Sequence, residues 1–174
     1  MANSDAPMGF RLIKTGGHEP IRRVREVDSS NGAAIAAGDA ITIEADGAVT
    51  RVTSGTPVVN GIVEGVVLQG VDQGPVSYQY LPANVAGQLI VIEDASAMFE
   101  VQTEAVIPLT AFDMGAMVDV VDAAPNAALG QSRQQVGDVG GDQLLLVESI
   151  DRPLNERFAA DAKVVVQLIP DSIL

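Results

Sequence analysis

The sequence predicts an all-β protein: a compact β-barrel or β-sandwich body preceded by an extended N-terminal arm, with at most short helices. Three observations lead there. The apolar 47% of the 174 residues is built from Val, Ile, Leu and Ala, with four Phe, two Tyr and no Trp, and branched aliphatics suit a pleated, half-buried surface. Short apolar or alternating runs recur at close spacing between clusters of Gly, Pro, Asp and Asn, while no helical stripe is long enough to act as a βαβ crossover. Charge divides the chain: residues 1–27 hold five basic side chains against three acidic ones, and the other 147 hold five against twenty, so +2 precedes −15 and the total is −13.

The arm, residues 1–27, is polar and broken by Ala6-Pro7, Gly9-Phe10, Gly16-Gly17 and Pro20. Its last stretch, residues 21–27, alternates like a strand that joins a sheet or lies on a neighbour. Residues 28–174 read as a single domain, a length at which roughly 70% of the unfolded surface can be buried without metal or disulfide. After a loop at 28–32, a hairpin is predicted from 40–44 and 49–52, because Asp46-Gly47 supplies the positive φ of a tight turn. Further strands are expected at 58–68, 76–80, 88–92, 99–103, 117–121, 143–150 and 163–169. Gly61 and Gly65 inside the first of these mark a bend or bulge. Gly137 to Gly141 reads as turn material. Two short helical segments are expected, 110–114 with Thr110 as cap, and 153–160. Gly38-Asp39-Ala40-Ile41-Thr42-Ile43 echoes Gly115-Ala116-Met117-Val118-Asp119-Val120; the echo is either two related halves of a barrel or a chance likeness of two Gly-led strands.

Residue types exclude several chemistries. There is no cysteine, hence no disulfide, thiolate nucleophile or Cys-based zinc site. The one histidine, His18, has no second histidine to share a metal and reads as a solvated loop residue. Glu93-Asp94 and Glu100 with Glu104 are the nearest carboxylate pairs, but adjacent strand residues point to opposite faces and do not converge on a substrate. No loop offers the run of oxygen ligands that calcium needs, and no glycine-rich loop carries the lysine of a phosphate site. Catalytic, cofactor-binding and metal-binding residues are therefore all read as none, with no small-molecule substrate. The longest aliphatic stretches fall far short of the roughly 20 residues of a membrane helix, so no membrane partner is expected. An acidic body repels phosphate, so nucleic acid is not expected either.

The run Ala2-Asn3-Ser4-Asp5-Ala6-Pro7-Met8-Gly9-Phe10-Arg11 resembles the start of a family of tailed-bacteriophage capsid decoration, cement or head structural proteins. The resemblance continues through Gly38-Asp39-Ala40-Ile41, Val59 to Val66, Met98 to Gln102, Gly130-Gln131-Ser132, and Leu145 to Pro153 with Asn155. It departs at Glu93-Asp94-Ala95-Ser96, where the family pattern has an Asp-Asp-Pro turn. The resemblance implies a β-barrel-like body, no enzymatic activity, and a place on the outer surface of the virion capsid after synthesis in the host cytoplasm. Its partners would be the major capsid protein and further copies of itself, often as a homotrimer. In that setting the arm is expected to lie across coat subunits. Pro7 restricts the chain, Phe10, Leu12 and Ile13 anchor it in apolar grooves, and Arg11, Lys14, Arg22, Arg23 and Arg25 pair with coat carboxylates. The alternative readings are another virion component, such as a tail tube or head fibre, and an all-β trimeric hydrolase.

Overall fold

The computed structural model describes residues 3, 5–53, 56, 58–70, 74–78, 80–104, 109–151 and 155–169, with backbone alone at 68–70, 74–78 and 138. The described residues form fourteen strands: β1 (Arg11–Lys14), β2 (Arg22–Val27), β3 (Ile35–Ala36), β4 (Ala40–Ile43), β5 (Val49–Arg51), β6 (Gly61–Gly70) and β7 (Gly74–Tyr78). The remainder are β8 (Tyr80–Leu81), β9 (Gly87–Ile92), β10 (Met98–Gln102), β11 (Met117–Val121), β12 (Gln135–Val139), β13 (Leu144–Ser149) and β14 (Lys163–Leu168). The predicted all-β class is what the chain adopts, and the antiparallel ladders need no helical crossover.

The echo of two glycine-led strands extends to the whole architecture. One sheet has the order β2-β9-β6-β4-β5, with β7 on β6; the other has β10-β14-β13-β11-β12, with β1 on β10. Taken in chain order, the five strands of each set occupy the same spatial order. The likeness reaches single hydrogen bonds. Gly38 N donates to Val63 O and Val63 N to Asp39 O, both at 2.8 Å; Gly115 N donates to Leu146 O and Leu146 N to Ala116 O, both at 2.9 Å. Gly38 and Gly115 both adopt positive φ, +89° and +86°. Each ladder then skips one residue, Glu64 between Val63 and Gly65 opposite β9, and Val147 between Leu146 and Glu148 opposite β14. Two copies of one supersecondary unit, β2 to β9 and β10 to β14, therefore make up most of the chain.

Both sheets curl so that their end strands approach each other, although no ladder joins β2 to β5 among the described residues. Thr103 forms a parallel bridge with Val136, joining the end of β10 to β12, and β2 lies close to β5. The first barrel encloses Val27, Ile41, Val49, Val63, Val66, Leu89 and Val91. The second encloses Phe99, Val101, Val118, Val120, Val136, Leu144, Leu146, Val164, Val166 and Leu168, and this core continues onto Ala40, Val52, Val59, Ile62 and Ile92 of the first unit. The seam also holds a buried polar bridge. Ala40 N donates to Gln134 Oε1 at 2.7 Å, Gln134 Nε2 donates to Val52 O at 2.8 Å, and Arg51 reaches Asp122 at 3.0 Å.

Local chemistry explains most boundaries. Gly47 takes φ +89° in the β4–β5 hairpin, as the Asp-Gly turn requires. A 3₁₀ turn at Ala111–Asp113 is capped by Thr110, whose hydroxyl accepts from Phe112 N while Asp113 accepts from Thr110 N. The second expected helix is absent from its described part: residues 157–160 form turns and bends, and Phe158 and Asp161 take positive φ, which breaks a helix. Pro153, where that helix was to begin, lies outside the described residues. Residues 135–139, part of which reads as turn material, form β12; Gly137 is there because a Cβ would lie 2.9 Å from Val121 Cγ2.

The N-terminal segment belongs to the body rather than standing apart as an arm ending at residue 27. β1 pairs antiparallel with β10, and β2 pairs with β9 along its whole length. Further back, Ala6 N donates to Gln102 Oε1 at 3.1 Å, and Asn3 Nδ2 donates to Glu156 O and Ala160 O. Gly9 is the pivot of this docking. It crosses Gly38 with φ +68°, and a Cβ on it would lie 2.5 Å from Gly38 O and 2.3 Å from Ser132 Cβ. Phe10 N donates to Gly38 O at 2.8 Å, and its ring enters the shared core. The Gly-Phe pair thus seals the seam between the barrels.

Candidate partner-binding face

The nine residues expected to meet a coat protein are distributed unevenly. Phe10 is 4% exposed, so its ring is spent in the chain's own core and is not free to fill a groove elsewhere. Pro7 and Leu12 are half-buried, and Leu12 packs against the same core. Ile13 and Lys14 are exposed. Arg11 lies opposite Glu100 across the β1–β10 ladder and pairs with it at 3.2 Å. Arg22 grips Glu64, with Nε 2.6 Å and Nη2 2.9 Å from its carboxylate oxygens. In the apolar strands 58–68 and 144–147, Val59, Ile62, Val63, Val66, Leu144 and Leu146 are buried within one copy.

Arg23, Arg25 and Glu93 form the most unusual cluster. Arg25 binds Glu93 through both branches, at 2.5 and 2.7 Å, and Arg23 Nε lies 3.3 Å from the same carboxylate. The Glu93 side chain is 1% exposed. Matching the β2–β9 ladder to the β10–β14 ladder pairs Arg23 with Phe99, Arg25 with Val101 and Glu93 with Leu168. One barrel thus holds an ionic triad where its duplicate holds three apolar side chains. The bidentate hydrogen bond to Glu93 raises the Arg25 pKa, against the opposing effect of burial. Room for the carboxylate comes from Gly61, where a Cβ would lie 3.1 Å from Glu93 Cγ; the matching residue in the second barrel is Leu144.

Asp94 turns the other way, as a period of two requires, and closes a clasp between two crossovers. Residues 15–21 pass from the second sheet to the first, and residues 93–97 pass back. Asp94 accepts from Ser96 N at 2.8 Å, Ser96 Oγ at 2.7 Å and Ile21 N at 3.3 Å. Burial pushes its carboxyl pKa up, but these hydrogen bonds and nearby His18 outweigh burial and leave it below the usual range. His18 Nε2 is 3.1 Å from Ser96 Oγ, and Nδ1 is 2.8 Å from Glu19 O but 3.6 Å from Asp94. Ser, His and Asp are the residue types of a hydrolytic triad, yet the shortest hydroxyl contact is to the carboxylate and Gly16 N donates to the same oxygen. The Ser96 hydroxyl thus donates to the Asp94 carboxylate. The arrangement fastens a loop. His18 is a half-exposed loop residue, its side chain 52% accessible, as its sequence context suggests, and only the fold brings residue 18 to residue 96.

Asp39 is a further perturbed acid. It is fully buried at the seam, its Oδ2 accepts from Ala36 N at 2.8 Å, and burial pushes its pKa up to about 6 against the opposing pull of Ser132, Ala36 and Arg51. No group of three or more metal-ligating side chains converges among the described residues. No protein-family model, curated protein or solved structure significantly matches the chain.

Proposed function

We propose that this chain is a non-enzymatic virion structural protein that binds the outer surface of a tailed-phage head and bridges neighbouring capsomers, stabilising the expanded capsid. One observation carries the proposal. Of the eight large apolar side chains exposed among the described residues, four (Met8, Ile13, Ile21 and Val24) lie within residues 8–24. Arg11, Lys14, Arg22 and Arg23 are interleaved with them. In a chain of net charge −13 this is a segment of exposed apolar residues with the exposed Lys14 among them, while Arg11, Arg22 and Arg23 are shared with Glu100, Glu64 and Glu93 of the same chain. Such a segment suits a partner with apolar depressions and acidic rims. The sequence resemblance supplies the partner's class, a phage coat protein. Individually weak contacts become effective when one molecule engages several coat subunits.

Deleting residues 1–20 would remove Phe10 from the core, so surface substitutions are the sounder test. Ile13→Asp with Lys14→Glu is expected to lower occupancy on purified expanded heads about tenfold, on the order of 1.4 kcal/mol of contact, with an unchanged melting curve. Leu129→Asp, on an exposed turn outside that segment, serves as the control and is expected to bind normally. Full occupancy by the double variant would overturn the proposal.

A further inference from the structure

Matching the two barrels exposes an edge that one covers and the other leaves open. The outer edge of β10 is paired by β1, with Arg11 opposite Glu100 and Leu12 opposite Phe99. The matching edge belongs to β2, and no strand pairs with it among the described residues. Backbone direction alternates along an antiparallel strand. Glu93 N donates to Ile21 O at 2.9 Å, so Ile21, Arg23 and Arg25 turn their backbone groups toward β9, while Arg22, Val24 and Glu26 turn theirs outward. Natural edges are usually blunted by a bulge, a proline or charged side chains; β2 has neither bulge nor proline, and its charges are of both signs. The ladder with β9 is unbroken over Arg22 to Val27; the Val27 end is buried close to β5, and Val24, 62% exposed, lies near the centre of the strand.

We propose that the β2 edge pairs with the same edge of a second copy of this chain, antiparallel about a twofold axis at Val24. The outward-facing residues read Arg22, Val24, Glu26, which is self-complementary on reversal. Arg22, already held by Glu64 of its own chain, comes opposite the partner's Glu26, which accepts from Gln88, and Val24 comes opposite the partner's Val24. In that register the three outward residues are the ones whose N–H and C=O groups exchange bonds. On the opposite face Arg23 comes opposite the partner's Arg25, and the two buried Glu93 carboxylates offset that repulsion. β1 is a poorer occupant, because Arg11 and Lys14 repeat the charges of β2 and the strand is already paired with β10. One strand pair buries less than the roughly 1,200–2,000 Å² of a stable interface. The contact is therefore weak in dilute solution and takes hold where copies are held close together. Being twofold, it is separate from any threefold grouping through another surface. It does not rest on the phage-head proposal.

Sedimentation equilibrium of the full chain from micromolar to millimolar concentration tests this contact without any capsid. Wild type is expected to show a monomer–dimer equilibrium. Val24→Pro removes only an outward N–H and leaves the β9 ladder whole, and is expected to stay monomeric. Should circular dichroism show that this variant fails to fold, Val24→Lys, which sets like charges on the axis, is read in the same way. Glu26→Arg and Arg22→Glu are each expected to weaken association about tenfold, and the double variant to recover to within about threefold of wild type. A wild type that is monomeric throughout, a dimer insensitive to both Val24 substitutions, or a double variant no better than the singles would overturn the proposal.

Discussion

The two barrels share strand order, glycine hinges and bulges, yet at three matched positions one is filled by Arg23, Arg25 and Glu93 and the other by Phe99, Val101 and Leu168. The backbone frame is thus set by ladder register and by the φ of Gly38 and Gly115, not by the identity of the side chains enclosed. The second barrel is close-packed and shares its core with the rest of the molecule. The first has an ionic end, an open strand edge and the exposed apolar residues Ile21 and Val24.

The largest effect that separates the copies should come from truncating matched residues. Phe99→Ala leaves a cavity in the shared core and is expected to lower unfolding free energy by about 3–5 kcal/mol, whereas Arg23→Ala at the matching site is expected to cost under about 1 kcal/mol, since that side chain is 54% exposed. Urea denaturation of both variants checks the difference. Equal losses would mean that the copies are not energetically distinct.

Next in size is the pH response of the seam. The matched residues are Asp39 in the first copy and Ala116 in the second, so only one copy titrates there. The folded pKa of Asp39 lies above its unfolded value, at about 6 against 3.8. Its contribution to stability is therefore fully present below about 3.8 and is lost as pH rises through about 6, a span of roughly 3 kcal/mol. Asp39→Asn is expected to remove this fall between pH 4 and 7, seen as a flatter difference in denaturation midpoint across that window. An unchanged pH profile would place the Asp39 charge in a better-solvated setting than its burial indicates.

A graft offers the smaller and sharper test. Glu93→Leu alone leaves Arg25 without its carboxylate and is expected to cost about 2 kcal/mol. Arg23→Phe, Arg25→Val and Glu93→Leu together copy the second barrel into the first and are expected to be neutral or stabilising by about 1–4 kcal/mol. Thermal unfolding distinguishes them, and a triple variant less stable than Glu93→Leu would refute the matching of the two interiors.

What was legible in the sequence follows the same division. The β4–β5 hairpin, the Thr110 cap and strands β9 to β11, β13 and β14 are encoded locally, by turn chemistry and short apolar runs, and they lie where the pattern puts them. β1, β3 and β12 are not legible, because four residues, two residues and a glycine-interrupted polar run acquire strand geometry only from a distant partner. The likeness of the two units is legible in sequence as the glycine-led echo, while their matched interior positions differ, Phe99, Val101 and Leu168 in one and Arg23, Arg25 and Glu93 in the other. Phe10 reads as a free anchor because it stands alone in a polar segment; nothing local shows that Gly9 crosses Gly38 and carries the ring into the core. Glu93 and Asp94 were legible as a divergent pair, but their partners, Arg25 and the Ser96 turn, depend on the fold.

Cryo-EM of expanded phage heads incubated with the purified protein tests the central proposal most directly. The expected map shows paired barrels on the outer face of the expanded head, with residues 8–24 turned toward the coat and bridging adjacent capsomers. Heads bare of the protein, or density on the head with that segment facing solvent, would contradict the account.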